Sequence, residues 1–188
     1  MPSTMNDWPA DAAEVFRRLS AESDIRRLIS RYMRLCDLPL PDADLSEAQR
    51  VHAIAALFCE DGVWEGVGEY YENQFGRLEG RARIAGHFSN FFNAQEPRLI
   101  FNCHYLTTEN IEVKGDVAEG LWVQFQPWIY ADSSSLLRSS RLRCLFRREQ
   151  GVWKIAHYRT ENVFIAPLPP GWATTFPKSF SLLRSPLS

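Results

Sequence analysis

Two residues in this sequence are suited to acid–base chemistry together, His104 and Asp37. His104 lies in Arg98-Leu-Ile-Phe-Asn-Cys-His-Tyr-Leu-Thr-Thr-Glu-Asn-Ile-Glu-Val113, which reads as one long strand. Alternation puts Asn102, His104, Leu106 and Thr108 on one face of it. An imidazole changes charge near neutral pH, so a histidine on the concave side of a sheet can take a proton from carbon or oxygen. A carboxylate beside it would orient the ring and stabilise its charged form. Asp37, 104 − 37 = 67 residues earlier, would reach it from the end of a helix. Spacing alone leaves open a second reading, a strand histidine satisfied by a backbone carbonyl.

The helix that must deliver Asp37 is predicted over Asp24–Asp37, with Ser23 as its N-cap. Ile25, Leu28, Ile29, Tyr32, Leu35 and Cys36 follow the spacing of one buried face, while Arg26, Arg27, Arg31 and Arg34 lie mostly off it. Tyr32 and Asp37 are five residues apart, roughly 140° in azimuth, so they share a cavity only if the last turn bends over it. A carboxylate there also meets the negative end of the helix dipole, a mild cost.

The remaining elements supply the walls. A first helical piece is expected over residues 10–20, before the helix carrying Asp37. Pro39 and Pro41 then break the chain, and Ser46 with Gln49 fits a capping box for a helix carrying Val51, Ile54, Ala55 and Phe58, ending near Glu60-Asp61-Gly62. Residues 63–67 and 69–78 read as a hairpin, and residues 80–92 as a helix burying Ile84 and Phe88. From Pro97 onward strands are expected over 98–113, 117–130, 139–148 and 152–164, followed by a proline-rich tail over 166–188. This order is α+β, with a long, curling sheet around helices, in a single domain over residues 1–188.

Composition removes several classes. The net charge of −2 gives no electrostatic case for nucleic acid or an anionic membrane. No apolar run is long enough for a membrane span, and Met1–Pro9 lacks the basic start and apolar stretch of a secretory signal, so a cytoplasmic protein is expected. The four scattered cysteines read as reduced core residues, and without CxxC spacing no metal site is expected. His52, His87 and His157 are not spaced as paired ligands and read as core or surface residues. No GxGxxG, P-loop or GxSxG pattern occurs. Arg138, Arg141, Arg143, Arg147 and Arg148 read as a solvated sheet face, and Trp122, Trp128 and Trp153 as core or interface.

In order, Ile25–Asp37, Ala56-Leu-Phe-Cys-Glu-Asp-Gly-Val-Trp64, Leu78-Glu-Gly-Arg-Ala-Arg-Ile84, His104–Val113 and Gly151-Val-Trp-Lys-Ile-Ala-His-Tyr-Arg159 carry a resemblance. The chain resembles the SnoaL-like group of the nuclear-transport-factor-2-like superfamily, within it the dehydratases and dehydrochlorinases. The resemblance implies a cone-shaped α+β barrel of mixed, mainly antiparallel sheet around about three helices, with a deep apolar pocket. It implies cofactor-free elimination from a small hydrophobic cyclic molecule by a His–Asp pair. His104 would then be the base and Asp37 its partner, Tyr32 would assist the leaving group, and Trp64 and Arg159 would contact substrate. The same fold serves as the non-catalytic β subunit of ring-hydroxylating dioxygenases and in isomerases and polyketide cyclases. An exposed sheet face rich in Trp and Leu would favour a homodimer or homotrimer.

Overall fold

The computed structural model describes residues 10–39, 44–68, 76–93 and 97–175. They form three helices, α1 (Ala10–Cys36), α2 (Glu47–Ala56) and α3 (Arg81–Asn93), and seven strands. The strands are β1 (Phe58–Val67), β2 (Arg77–Glu79), β3 (Leu99–Asn102), β4 (Tyr105–Lys114), β5 (Val117–Tyr130), β6 (Ser135–Glu149) and β7 (Val152–Pro167), with a 3-10 turn at Trp172–Thr175. The sheet order is β2-β1-β7-β6-β5-β3, and β4 also pairs with β5. β1 runs parallel to β7, and the other pairs are antiparallel. This is the α+β cone expected, a strongly curled sheet closing on helices. No helix among the described residues is long and apolar enough to cross a membrane. Most of the expected strand over 69–78, and the tail beyond residue 175, lie outside the described residues.

α1 is one helix of 27 residues rather than two pieces. No proline or glycine interrupts residues 10–36, so the hydrogen-bond ladder passes through Ser23, which caps nothing. Its second half buries the expected face, with Ile25 and Leu35 fully enclosed, and adds Met33. The Ser46–Gln49 capping box starts α2 as expected, but the helix stops at Ala56. Phe58 then pairs with Ile155 of β7, so residues expected to close the helix open β1 instead. The β1–β7 register shifts between Phe58 and Val63. Gly62 lies within that irregularity; a Cβ there would stand 2.9 Å from the Cys59 carbonyl oxygen.

Side-chain parity then decides which residues meet the helices. On β5 the even positions Trp122, Gln124, Gln126 and Trp128 are buried; on β6 so are Arg138, Ser140, Leu142, Cys144 and Phe146. Leu121, Phe125, Arg141, Arg143 and Leu145 are exposed on the other face. Gly120 is small for a reason: a Cβ there would meet the Trp122 ring at 2.2 Å, and that indole packs edge-on against Phe146. One arginine departs from the expected solvated stripe. Arg138 is 1 % exposed, because it shares the parity of Leu142, Cys144 and Phe146 rather than that of Arg141 and Arg143. The three tryptophans Trp122, Trp128 and Trp153 are core, so the exposed sheet face is not rich in Trp.

Candidate functional site

The long strand expected over 98–113 is split at Cys103–His104 into β3 and β4. The register is continuous across the gap: Asn102 pairs with Trp128 and Tyr105 with Phe125. The cause is in β5. Asn102 exchanges both main-chain hydrogen bonds with Leu38 at the outer edge, 2.8 and 3.0 Å. By antiparallel alternation Cys103 therefore faces β5, where its opposite number is Pro127, which has no N–H to give. His104, like Asn102, directs its N–H away from β5.

That N–H is taken by Asp37. After Cys36 the chain leaves α1, and the Leu38–Asn102 bridge pins it against β3. Asp37 Oδ1 then accepts from the His104 main-chain N at 3.0 Å and stands 2.6 Å from His104 Nδ1. A carboxylate only accepts, so the ring carries its hydrogen on Nδ1 and its lone pair on Nε2. Gln126 Nε2 meets that lone pair at 2.7 Å and also donates to Asn102 Oδ1 at 3.1 Å. Gln124 donates in turn to Gln126 Oε1, which sets the Gln126 amide. The His104 and Asp37 side chains are only 7 % and 14 % exposed.

One further residue holds this arrangement. Arg50 is buried and donates to the Leu35 carbonyl at 2.6 Å and the Asp37 carbonyl at 2.9 Å. Its guanidinium thus caps the α1 C-terminus and offsets the dipole cost of a carboxylate there. Burial lowers the Arg50 pKa, and the ring of Phe92 lies 3.6 Å away. On the opposite wall Trp64 Nε1 donates to the Tyr32 hydroxyl at 2.9 Å. Burial pushes the Tyr32 phenol well above its usual value, so it remains protonated and a donor at neutral pH.

His104, Tyr32 and Trp64 line one small cavity of about 60 Å³, open to solvent at its mouth. One wall is aromatic: Trp64, His87, Phe88, Phe91 and Tyr158. The other is polar: Asn102, Gln124, Gln126, Arg138 and Thr160. The cavity is therefore two-sided rather than apolar throughout. Burial lowers the His87 pKa to about 4, so its ring is neutral; burial and nearby Asp37 push the Cys36 thiol up to about 12, against Arg50.

Arg159 is not in this group. It lies on the outer side of β7 beside Glu65 at 3.8 Å, in a groove with Arg141 and Arg143, while its neighbours Tyr158 and Thr160 face the cavity. Sequence reasoning read His87 as a core or surface residue and Arg138 as part of a solvated face, and passed over Tyr158 and Thr160; for Arg138 strand parity was the available signal. Among the described residues one group of three possible metal donors occurs, Cys59, Asp61 and Glu149. It shares no residue with the cavity, and Arg147 pairs with both carboxylates, at 2.6 and 2.5 Å.

Residues 17–159 match the SnoaL-like domain family. Among solved structures, a type 2 hexachlorocyclohexane dehydrochlorinase is 20 % identical over 81 % of this chain and 96 % of its own, with a TM-score of 0.62. A candidate scytalone dehydratase from Novosphingobium aromaticivorans is 16 % identical over 81 % and 95 %, TM-score 0.59. A candidate aromatic ring hydroxylase from the same species is 19 % identical over 80 % and 94 %, TM-score 0.63. No curated protein matches the sequence.

Proposed function

We propose that this chain, which belongs to the SnoaL-like domain family, is a cofactor-independent lyase acting on a small, largely hydrophobic ring compound. The bound ring compound displaces the Gln126 amide from the His104 Nε2 lone pair, which then removes a proton from carbon. The electron pair forms the new double bond as the bond to the leaving group breaks; a leaving hydroxide takes a proton from Tyr32 and departs as water, whereas a leaving halide departs as the anion with the Tyr32 hydroxyl donating a hydrogen bond to it. Asp37 stabilises the imidazolium, and Trp64 fixes the oxygen of Tyr32. The observation that carries this reading is the single Asp37 oxygen engaged with both His104 N–H groups beside a cavity. Similarity to a dehydrochlorinase and a candidate dehydratase supports elimination as the reaction class. An isomerase or cyclase would use the same base with a different fate for the proton.

A second reading has its own support. A candidate aromatic ring hydroxylase is equally similar in fold, which accords with a non-catalytic β subunit of a dioxygenase. Turnover by this chain purified alone excludes that role. The test is a panel of β-hydroxy and β-halo cyclic ketones, followed by the absorbance of the conjugated product. His104→Ala should lower the rate about 10²–10⁴-fold, the usual worth of general acid–base help. Unchanged turnover in that variant refutes the reading. We also propose self-association into a homodimer or homotrimer through the exposed sheet face, where Leu121, Phe125, Leu145 and Phe164 are 36–41 % exposed.

A further inference from the structure

Arg138 is a long cation placed where the fold normally places core. Its side chain is 1 % exposed, its guanidinium lies 3.9 Å from the Trp128 ring centroid, and it forms part of the cavity wall. Stacking on the indole fixes the plane of the guanidinium and leaves its N–H edge as the direction of hydrogen bonding.

Register relates Arg138 to the dyad. Arg138 pairs directly with Gln126 across β5 and β6, and Gln126 touches His104 Nε2. His104, Gln126 and Arg138 thus form a row across neighbouring strands. Two strand spacings put the outer members about 10 Å apart at Cα, with the Gln126 side chain between them at the cavity wall. Three buried polar atoms on the same cavity lack a hydrogen-bond partner among the described residues: Gln124 Oε1, Trp128 Nε1 and Thr160 Oγ1. A wall of that kind is built for a ligand that carries oxygen, not for a bare hydrocarbon.

We propose that Arg138 binds the carbonyl oxygen of the substrate and holds the negative charge that gathers there when His104 removes the neighbouring proton. The substrate class is then a cyclic ketone with its leaving group on the β carbon. The proton leaves the α carbon, the electron pair passes to the carbonyl oxygen as an enolate beside Arg138, and its return expels hydroxide or halide to leave the enone. A fixed cation aimed at a developing oxyanion is a strong form of catalytic electrostatics. This inference rests on the lyase reading for its chemistry, but its binding test does not.

The probe is 4-nitrophenolate, a planar oxyanion with a visible absorbance, compared with neutral 4-nitrotoluene. Wild-type protein should bind the anion at least about tenfold more tightly than the neutral compound, the scale of a charge-assisted hydrogen bond. Arg138→Gln should bring the ratio to near one without weakening 4-nitrotoluene, and Arg138→Lys should keep part of the preference. Should Arg138→Gln fail to fold by circular dichroism, the wild-type ratio and the lysine variant decide. A wild-type ratio near one, or a preference that survives Arg138→Gln, overturns the proposal. So does a preference lost in His104→Ala, because the imidazole would then be its source. If the anion preference holds and His104→Ala still turns over the ketone panel at full rate, Arg138 stands and His104 falls as the base.

Discussion

Arg50→Met isolates the contribution of the clamp on the end of α1. In the wild-type protein the guanidinium satisfies the Leu35 and Asp37 carbonyls at 2.6 and 2.9 Å. Methionine fills comparable space and donates nothing, so two acceptors lose their partner, one of them fully buried. Each orphaned buried carbonyl costs about 1–3 kcal/mol, and loss of the contact with Phe92 adds up to about 2 kcal/mol. Against this stands the cost of burying a guanidinium, visible in the lowered Arg50 pKa, which the variant no longer bears. The net expectation is a loss of about 3 kcal/mol, or about 6–12 °C in Tm for a chain of this size. Urea unfolding measures the first quantity. The link to the site is measured separately by hydrogen exchange of the His104 amide, which Asp37 protects; it should accelerate more than amides in the β6–β7 ladder. A stability change below about 0.5 kcal/mol, or equal acceleration everywhere, would show that Arg50 does not hold Asp37 in place.

Two other expectations are independent of any substrate. His87 has its folded pKa lowered to about 4 from an ordinary 6.5 by burial. Above about pH 6.5 both folded and unfolded chains carry it neutral; below that the unfolded chain alone gains the proton, so stability falls as pH drops toward 4. At about pH 5 this amounts to about 2 kcal/mol, and His87→Gln should make the pH dependence of urea unfolding shallower by that amount; an identical slope in both proteins contradicts the burial argument. On the outer sheet face, sedimentation should show a dimer or trimer that Phe125→Glu with Phe164→Glu converts to monomer, since those two rings lie 6.3 Å apart in one patch. A monomeric wild-type protein at micromolar concentration removes that interface.

Much of the site was legible because its determinants are local. The apolar spacing of Ile25 to Cys36 and the prolines after Leu38 place Asp37 at a helix end, and the alternation around Leu142, Cys144 and Phe146 gives the inner face of β6. The elements misjudged were those settled by partners distant in sequence. Phe58 to Gly62 have the composition of a helix end, but pairing with Ile155 draws Phe58 into a strand. The break beside His104 depends on Pro127, 127 − 104 = 23 residues later, and on Leu38 taking the outer edge. Arg138 was misread because its charge was weighed ahead of its parity; a strand decides inside from outside by position, and an arginine is tolerated inside once it is stacked. Arg159, by the same rule, falls outside although a sequence motif draws attention to it.

The attachment of Asp37 and Leu38 to the edge of β3 has a consequence unrelated to catalysis. A bare strand margin with open N–H and C=O groups invites another chain to add on. Here Leu38 occupies both groups of Asn102, and the carboxylate covers the next amide at His104. The acid of the dyad is thus also a stopper on the sheet. An Asp37 variant made to silence chemistry uncovers an aggregation-prone seam at the same time, so loss of solubility and loss of turnover arrive together and must be separated before either is assigned.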